Sequence, residues 1–136
     1  MSLRRKSREL AMQAMYQSEL TGQSLIEAFL IQLESFEVNK KAVTYARELL
    51  AGISGRLEEI DQLIGEQSKH WRLERMAQVD RNILRIAVYE LSVMVDIPGS
   101  VVINEAIEIA NRYSNEDAAS FINGILDAIG KKLGRI

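Results

Sequence analysis

Between Val79 and Val95 the sequence is apolar almost all the way round a helix, with Arg81, Arg85, Ser92 and Asp96 as its polar positions and Tyr89 completing a stripe at spacings of three and four. A helix with so narrow a polar stripe belongs at the centre of a domain, covered on most sides by other elements. The rest of the chain supplies that cover as more helix. Apolar residues recur at helical spacing nearly throughout, and no alternating strand pattern competes. With 136 residues the chain has room for one domain with a real core. The expected fold is all-α, with about seven helices in a single domain over residues 1–136.

A first helix is expected from about Ser2 to Leu20, with Leu3, Leu10, Ala14 and Gln17 on one face and Met12, Met15 and Tyr16 beside it. Thr21-Gly22-Gln23-Ser24 stops it, and Ser24 is a candidate N-cap for a second helix ending near Phe36. Asn39 is placed to cap a third helix reaching about Gln67, striped by Ala42, Ala46, Leu49, Leu50, Ile53, Leu57, Ile60 and Ile64. Gly52 and Gly55 weaken that helix by about 1 kcal/mol each relative to alanine and mark a place for a bend. The pattern breaks at His70-Trp71-Arg72, where Trp71 reads as core or helix-joint filler, and a short helical turn over Leu73 to Met76 follows. Pro98-Gly99 is the clearest break, with Ser100 as candidate cap for a helix from about Val101 to Tyr113 that keeps Glu105, Glu108 and Arg112 outside. Beyond Ser114-Asn115, the last helix turns Ala118, Ile122, Ile125, Ile129 and Leu133 inward.

The net charge of −2 is unevenly distributed. Arg4, Arg5, Lys6 and Arg8 give residues 1–8 a charge of +4, and Lys131, Lys132 and Arg135 give residues 131–136 a charge of +3. The stretch between holds 10 basic groups against 19 acidic ones, a balance of −9. Such asymmetry bears on partners. Four cations opening a helix lie where the helix dipole is already positive, an arrangement that suits an external anion such as nucleic-acid phosphate. A solubilising basic start is the bland alternative. Phe121, one position before the inner stripe of the last helix, reads either as a core aromatic or as a platform for an unpaired base.

Signals of catalysis are weak. The chain has no cysteine and one histidine, which removes thiol nucleophiles, disulfides and the common cysteine or histidine metal sites. Gly52-Ile53-Ser54-Gly55 misses the nucleophile-elbow spacing by one position, and no strand precedes a glycine-rich loop. Glu58, Glu59 and Asp61 read as a solvated acidic cluster, and so do Glu74 and Asp80 taken alone. No cofactor is expected. No apolar run is long enough for a bilayer, and the first residues lack a signal-peptide core, so the expected compartment is cytoplasm.

Four motifs in order carry a family resemblance. Arg4-Arg5-Lys6-Ser7-Arg8-Glu9 is followed by Ala11, Gln13-Ala14 and Tyr16; then comes Asp80-Arg81-Asn82-Ile83-Leu84-Arg85-Ile86-Ala87-Val88-Tyr89-Glu90-Leu91. Pro98 precedes Ile103-Asn104-Glu105-Ala106-Ile107-Glu108-Ile109-Ala110, and Phe121-Ile122-Asn123-Gly124-Ile125-Leu126-Asp127 closes the set. From about Arg4 to Leu133 the chain resembles the NusB family of bacterial transcription antitermination factors. The resemblance implies two small helical bundles, no catalysis, and binding of single-stranded boxA RNA together with the ribosomal protein NusE in an RNA polymerase antitermination complex, notably on ribosomal RNA operons. It implies RNA contacts by Arg4, Arg5, Lys6, Arg8 and Phe121, and contacts with NusE or the RNA–NusE junction by Tyr16, Glu74, Asp80 and Asp117. Lys6 stands where many members have arginine, and Ser120 where some have lysine.

Two other classes compete. One is a helical protein-interaction module or homo-oligomer that binds no RNA. The other is an RNA-modifying enzyme, because NusB-like domains also occur fused to ribosomal RNA cytosine methyltransferases; these 136 residues leave no segment for a methyl-donor-binding unit. Nothing in the sequence assigns a role to Lys131, Lys132 and Arg135.

Overall fold

A computed structural model of the chain describes residues 2–35, 39–68 and 72–136. Among them are six α-helices, one turn of 3-10 helix and no strand. His70 and Trp71, and the expected helix end at Phe36, lie outside the described residues. The helices are α1 (Leu3–Thr21), α2 (Leu25–Ser35), α3 (Lys40–Gln67), α4 (Gln78–Val93), α5 (Gly99–Tyr113) and α6 (Glu116–Lys132), with the 3-10 turn at Leu73–Arg75. The chain divides into two compact units, residues 1–55 and 56–136, with α3 contributing to both.

In the first unit α1 and α2 pack together as a hairpin. Gly22 ends α1 in the left-handed region at φ +79°, where its N–H donates to the Ser18 carbonyl at 2.9 Å. This is the usual glycine stop after a helix. Ser24 then caps α2 through its Oγ, which accepts from the Glu27 N–H at 3.2 Å, and Asn39 Oδ1 accepts from Lys41 N–H at 2.8 Å to open α3. The buried residues are Leu10, Met12, Ala14 and Met15 of α1, Ala28 and Phe29 of α2, and Ala42, Ala46, Leu49 and Ile53 of α3.

The bend expected near Gly52 and Gly55 falls at Arg56, where α3 leaves helical geometry (φ −131°, ψ 18°). Ile60 and Ile64 are buried beyond it, whereas Leu57, expected on the same stripe, is exposed.

In the second unit α4 packs against both α5 and α6, which pack on each other. Leu84, Val88, Leu91, Val102, Ala110, Ile122, Leu126 and Ile129 are almost wholly buried. Burial of each Leu or Ile among these is worth roughly 1.5–3 kcal/mol. Asn82 and Glu90, polar residues inside the expected apolar helix, are buried as well. Arg85 forms a bidentate pair with Asp61, Nε to Oδ1 and Nη2 to Oδ2 both at 2.9 Å, and its Nη1 donates to Asn82 Oδ1 at 3.2 Å. Asp61 is therefore engaged with α4, while Glu58 and Glu59 of the same acidic cluster remain exposed.

Two expectations for α5 are corrected. Its N-cap is Pro98 and its first residue Gly99, so Ser100 lies inside the first turn. The Pro98 carbonyl accepts from the N–H groups of Val101 and Val102. A Cβ on Gly99 would collide with the Arg135 carbonyl oxygen, so this close approach suits glycine. Glu105, expected outside, is only 9% exposed because it shares a face with Val102, Ala106 and Ile109.

Of the C-terminal cations, Arg135 is tied into the structure, and the two lysines form exposed ion pairs. The Arg135 guanidinium donates to the carbonyls of Glu90, Leu91, Met94 and Ile97, the end of α4 and the turn after it. It satisfies acceptors that a helix end leaves open. Lys132 pairs with Glu66 at 2.6 Å and Lys131 with Asp127 at 3.0 Å.

Candidate nucleic-acid interface

The first unit presents the opening of α1. Ser2 caps the helix, its Oγ accepting from the Arg5 N–H at 3.0 Å, and no acidic residue stands in the first turn. Arg4 and Lys6 are exposed, and Arg5 is half-buried. Arg8 differs: it is 4% exposed, between buried Ser7 and buried Glu9. The exposed cations of this turn are Arg4 and Lys6, with half-buried Arg5 between them, at the positive end of the helix dipole.

Two further residues hold this face in place. Ser7 Oγ donates to the Ala42 carbonyl at 2.7 Å, fixing the first turns of α1 against the start of α3. The Arg4 guanidinium stacks over the Tyr45 ring, 4.6 Å from its centroid. That cation–π contact orients the guanidinium while leaving its edge for another partner. Neither Ser7 nor Tyr45 stood out as functional in the sequence. Tyr45 follows Ala42 by three on the apolar stripe of α3, a spacing from which its packing was legible. Tyr16 lies on α1 of the same unit with its side chain 39% exposed.

In the second unit a cavity of about 280 Å³ is lined by residues of the 3-10 turn region, the start of α4 and the start of α6. It brings together Asp80, Asp117 and Phe121, with Arg75 and Asn115 beside them. Phe121 is half-buried, so one part of its ring packs and another borders the cavity. Asn115 serves first as N-cap of α6, its Oδ1 accepting from Ala118 N–H at 2.8 Å. The Arg81 guanidinium donates to the Leu73 carbonyl at 3.1 Å, which ties the 3-10 turn to α4 and sets where Glu74 and Arg75 stand. Asp80 Oδ1 is buried without a hydrogen-bond partner among the described residues. Glu74 is exposed on the 3-10 turn and is not one of the residues lining the cavity.

Chemically the cavity joins an aromatic surface to hydrogen-bonding groups of both kinds, the Arg75 donors and the Asp80 and Asp117 acceptors. A planar, polar-edged group such as a nucleobase fits that set. Among the described residues no group of three or more His, Cys, Asp or Glu is placed to hold a metal ion, and no helix is long and apolar enough to cross a membrane.

The order of these elements can be compared with known proteins. The model of the NusB family matches residues 5–131. The chain belongs to the NusB family. Transcription antitermination protein NusB of Geobacter sp. (strain M21) is 47% identical, over 95% of this chain and 94% of its own length. The protein of the same name from Myxococcus xanthus is 42% identical over 99% of each chain. Among solved structures, T. maritima NusB superposes with a TM-score of 0.86 at 42% identity, covering 95% of this chain and 91% of that one. A crystal structure of the antitermination factors NusB and NusE in complex with double-stranded RNA gives a TM-score of 0.83 at 32% identity, covering 97% and 98%. The all-α architecture is therefore that of the NusB family.

Proposed function

We propose that this chain is a transcription antitermination factor that binds boxA-type RNA jointly with NusE and so enters an RNA polymerase complex that reads through terminators. The observation that carries this reading is the cationic first turn of α1, exposed Arg4 and Lys6 with half-buried Arg5 between them, in a chain of this family. Those residues supply sequence-independent attraction to phosphate. Phe121 offers a surface for an unpaired base, and Asp80 and Asp117 beside it offer acceptors for base edges or for a protein donor. Tyr16 and Glu74, both exposed, are assigned to the NusE side. The acidic body, −9 over residues 9–130, suits a basic ribosomal protein and keeps RNA from coating the rest of the surface.

In this reading residues 1–136 act as one binding domain in the cytoplasm and catalyse nothing. Joint engagement of RNA and NusE extends one footprint over two proteins and raises affinity above that of either alone. Fluorescence anisotropy with boxA-type RNA, with and without NusE at moderate salt, tests it. NusE is expected to tighten RNA binding, and a titration in which it does not overturns the proposal.

A further inference from the structure

Helix α2 is built for a core and only partly used in one. Six of its eleven residues are Leu, Ile or Phe, yet of these only Phe29 is fully buried. Ile26 is 50% exposed and Leu30 47%. Half-buried Leu33 completes an i, i+4, i+7 row with them, the spacing by which one helix face engages another element. Leu20, at the end of α1 in the same hairpin, is also exposed. Single exposed apolar residues need no explanation; a row along one face does.

The charges around this row are of one sign. Residues 9–39 contain five glutamates and not one lysine, arginine or histidine; the next cations are Lys40 and Lys41, past the end of α2. Glu27 and Glu34 are exposed and follow Leu30 around the helix at 100° per residue, so the apolar row has an acidic border. That border repels RNA and anionic lipid. It also disfavours a second copy placed on the same face by two-fold symmetry, which would set Glu27 and Glu34 near their own counterparts.

We infer that the Ile26–Leu30–Leu33 face of α2 is a protein-docking surface for a basic amphipathic helix, whose apolar side covers the row while its lysines or arginines meet Glu27 and Glu34. This surface uses none of the residues assigned above to RNA or NusE, and it stands whether or not the opening of α1 takes RNA.

The test uses the full chain and three labelled peptides of equal length: a Leu/Lys amphipathic helix, the same pattern in Leu/Glu, and a scrambled Leu/Lys sequence. Fluorescence anisotropy at moderate salt is expected to show binding of the first alone. Ile26→Lys/Leu30→Lys and Glu27→Lys/Glu34→Lys are each expected to weaken it about tenfold or more, the scale of losing a docking anchor. Glu58→Lys/Glu59→Lys, at exposed acids outside α2, is expected to leave it unchanged, and circular dichroism checks that all variants fold. Equal binding of the scrambled peptide, or unaltered binding by the α2 variants, overturns the inference. So does light scattering that finds the wild-type chain as a dimer dissociated by Leu30→Lys, since the occupant is then a second copy. Boxa-type RNA binding by the same α2 variants separates this surface from the function proposed above: retained RNA affinity with lost peptide affinity is the expected pair, and loss of both overturns an independent surface.

Discussion

Arg8 and its three basic neighbours differ in what their removal is expected to do. At 4% exposure Arg8 is packed into the first unit, and its stem and charge are part of that packing. Arg8→Ala is expected to lower stability by about 1–3 kcal/mol in urea titrations, the range for loss of a buried, partnered side chain. Its effect on the salt dependence of RNA binding is expected to be small. Phe121 belongs to the opposite category. It is half-buried at a cavity edge, so Phe121→Leu keeps most of its packing while removing the aromatic face. RNA affinity measured on that variant is expected to fall by about 1–3 kcal/mol, the scale of one stacked base, with the melting temperature little changed. An RNA affinity equal to wild type would return Phe121 to a purely structural role.

At the scale of elements, two helix glycines predict opposite outcomes. Gly99 opens α5 with the Arg135 backbone against it, and an added Cβ would collide with a backbone carbonyl, which must shift to admit it. Gly99→Ala is expected to destabilise by about 1–3 kcal/mol, as overpacking does. Gly124 is inside α6 with nothing within 4 Å of an added Cβ. Gly124→Ala is expected to stabilise by up to about 1 kcal/mol through helix propensity alone. Thermal melts of the pair check both signs. Element boundaries of this kind were legible wherever the signal was local. Ser24 and Asn39 cap the helices they precede because an N-cap needs only its own side chain and an N–H two or three residues on. Ser100 does not, because α5 already begins at Gly99 behind an N-cap at Pro98, which leaves Ser100 inside the first turn. Leu57 and Glu105 differ from expectation in opposite senses: Leu57, directly after the break at Arg56, is exposed, and Glu105 is drawn inward beside its apolar neighbours. For the candidate site, the cationic run and Phe121 could be read directly. The burial of Arg8, the stacking of Arg4 on Tyr45 and the company of Arg75 and Asn115 could not, since each depends on which helices pack together.

For the whole molecule, the distribution of charge sets how binding responds to salt. Three cations of the first turn, Arg4, Arg5 and Lys6, contacting phosphates of a single strand contribute about −2 to the slope of log affinity against log salt. Replacing all three by alanine is expected to weaken binding to any RNA and to flatten the slope by that amount; an unchanged slope in a salt series would remove the arm from the interface. Arg135 is expected to leave the slope alone, because its hydrogen bonds are internal. Its hydrogen bonds reach carbonyls 38 to 45 residues earlier in the chain. They need the end of α4 and the turn after α6 side by side, so they are expected to form late in folding. Arg135→Ala is therefore expected to raise the unfolding rate while refolding proceeds at nearly its normal speed, visible as a chevron displaced only in its unfolding limb. On that expectation the guanidinium is a latch that sets how long the second unit stays folded.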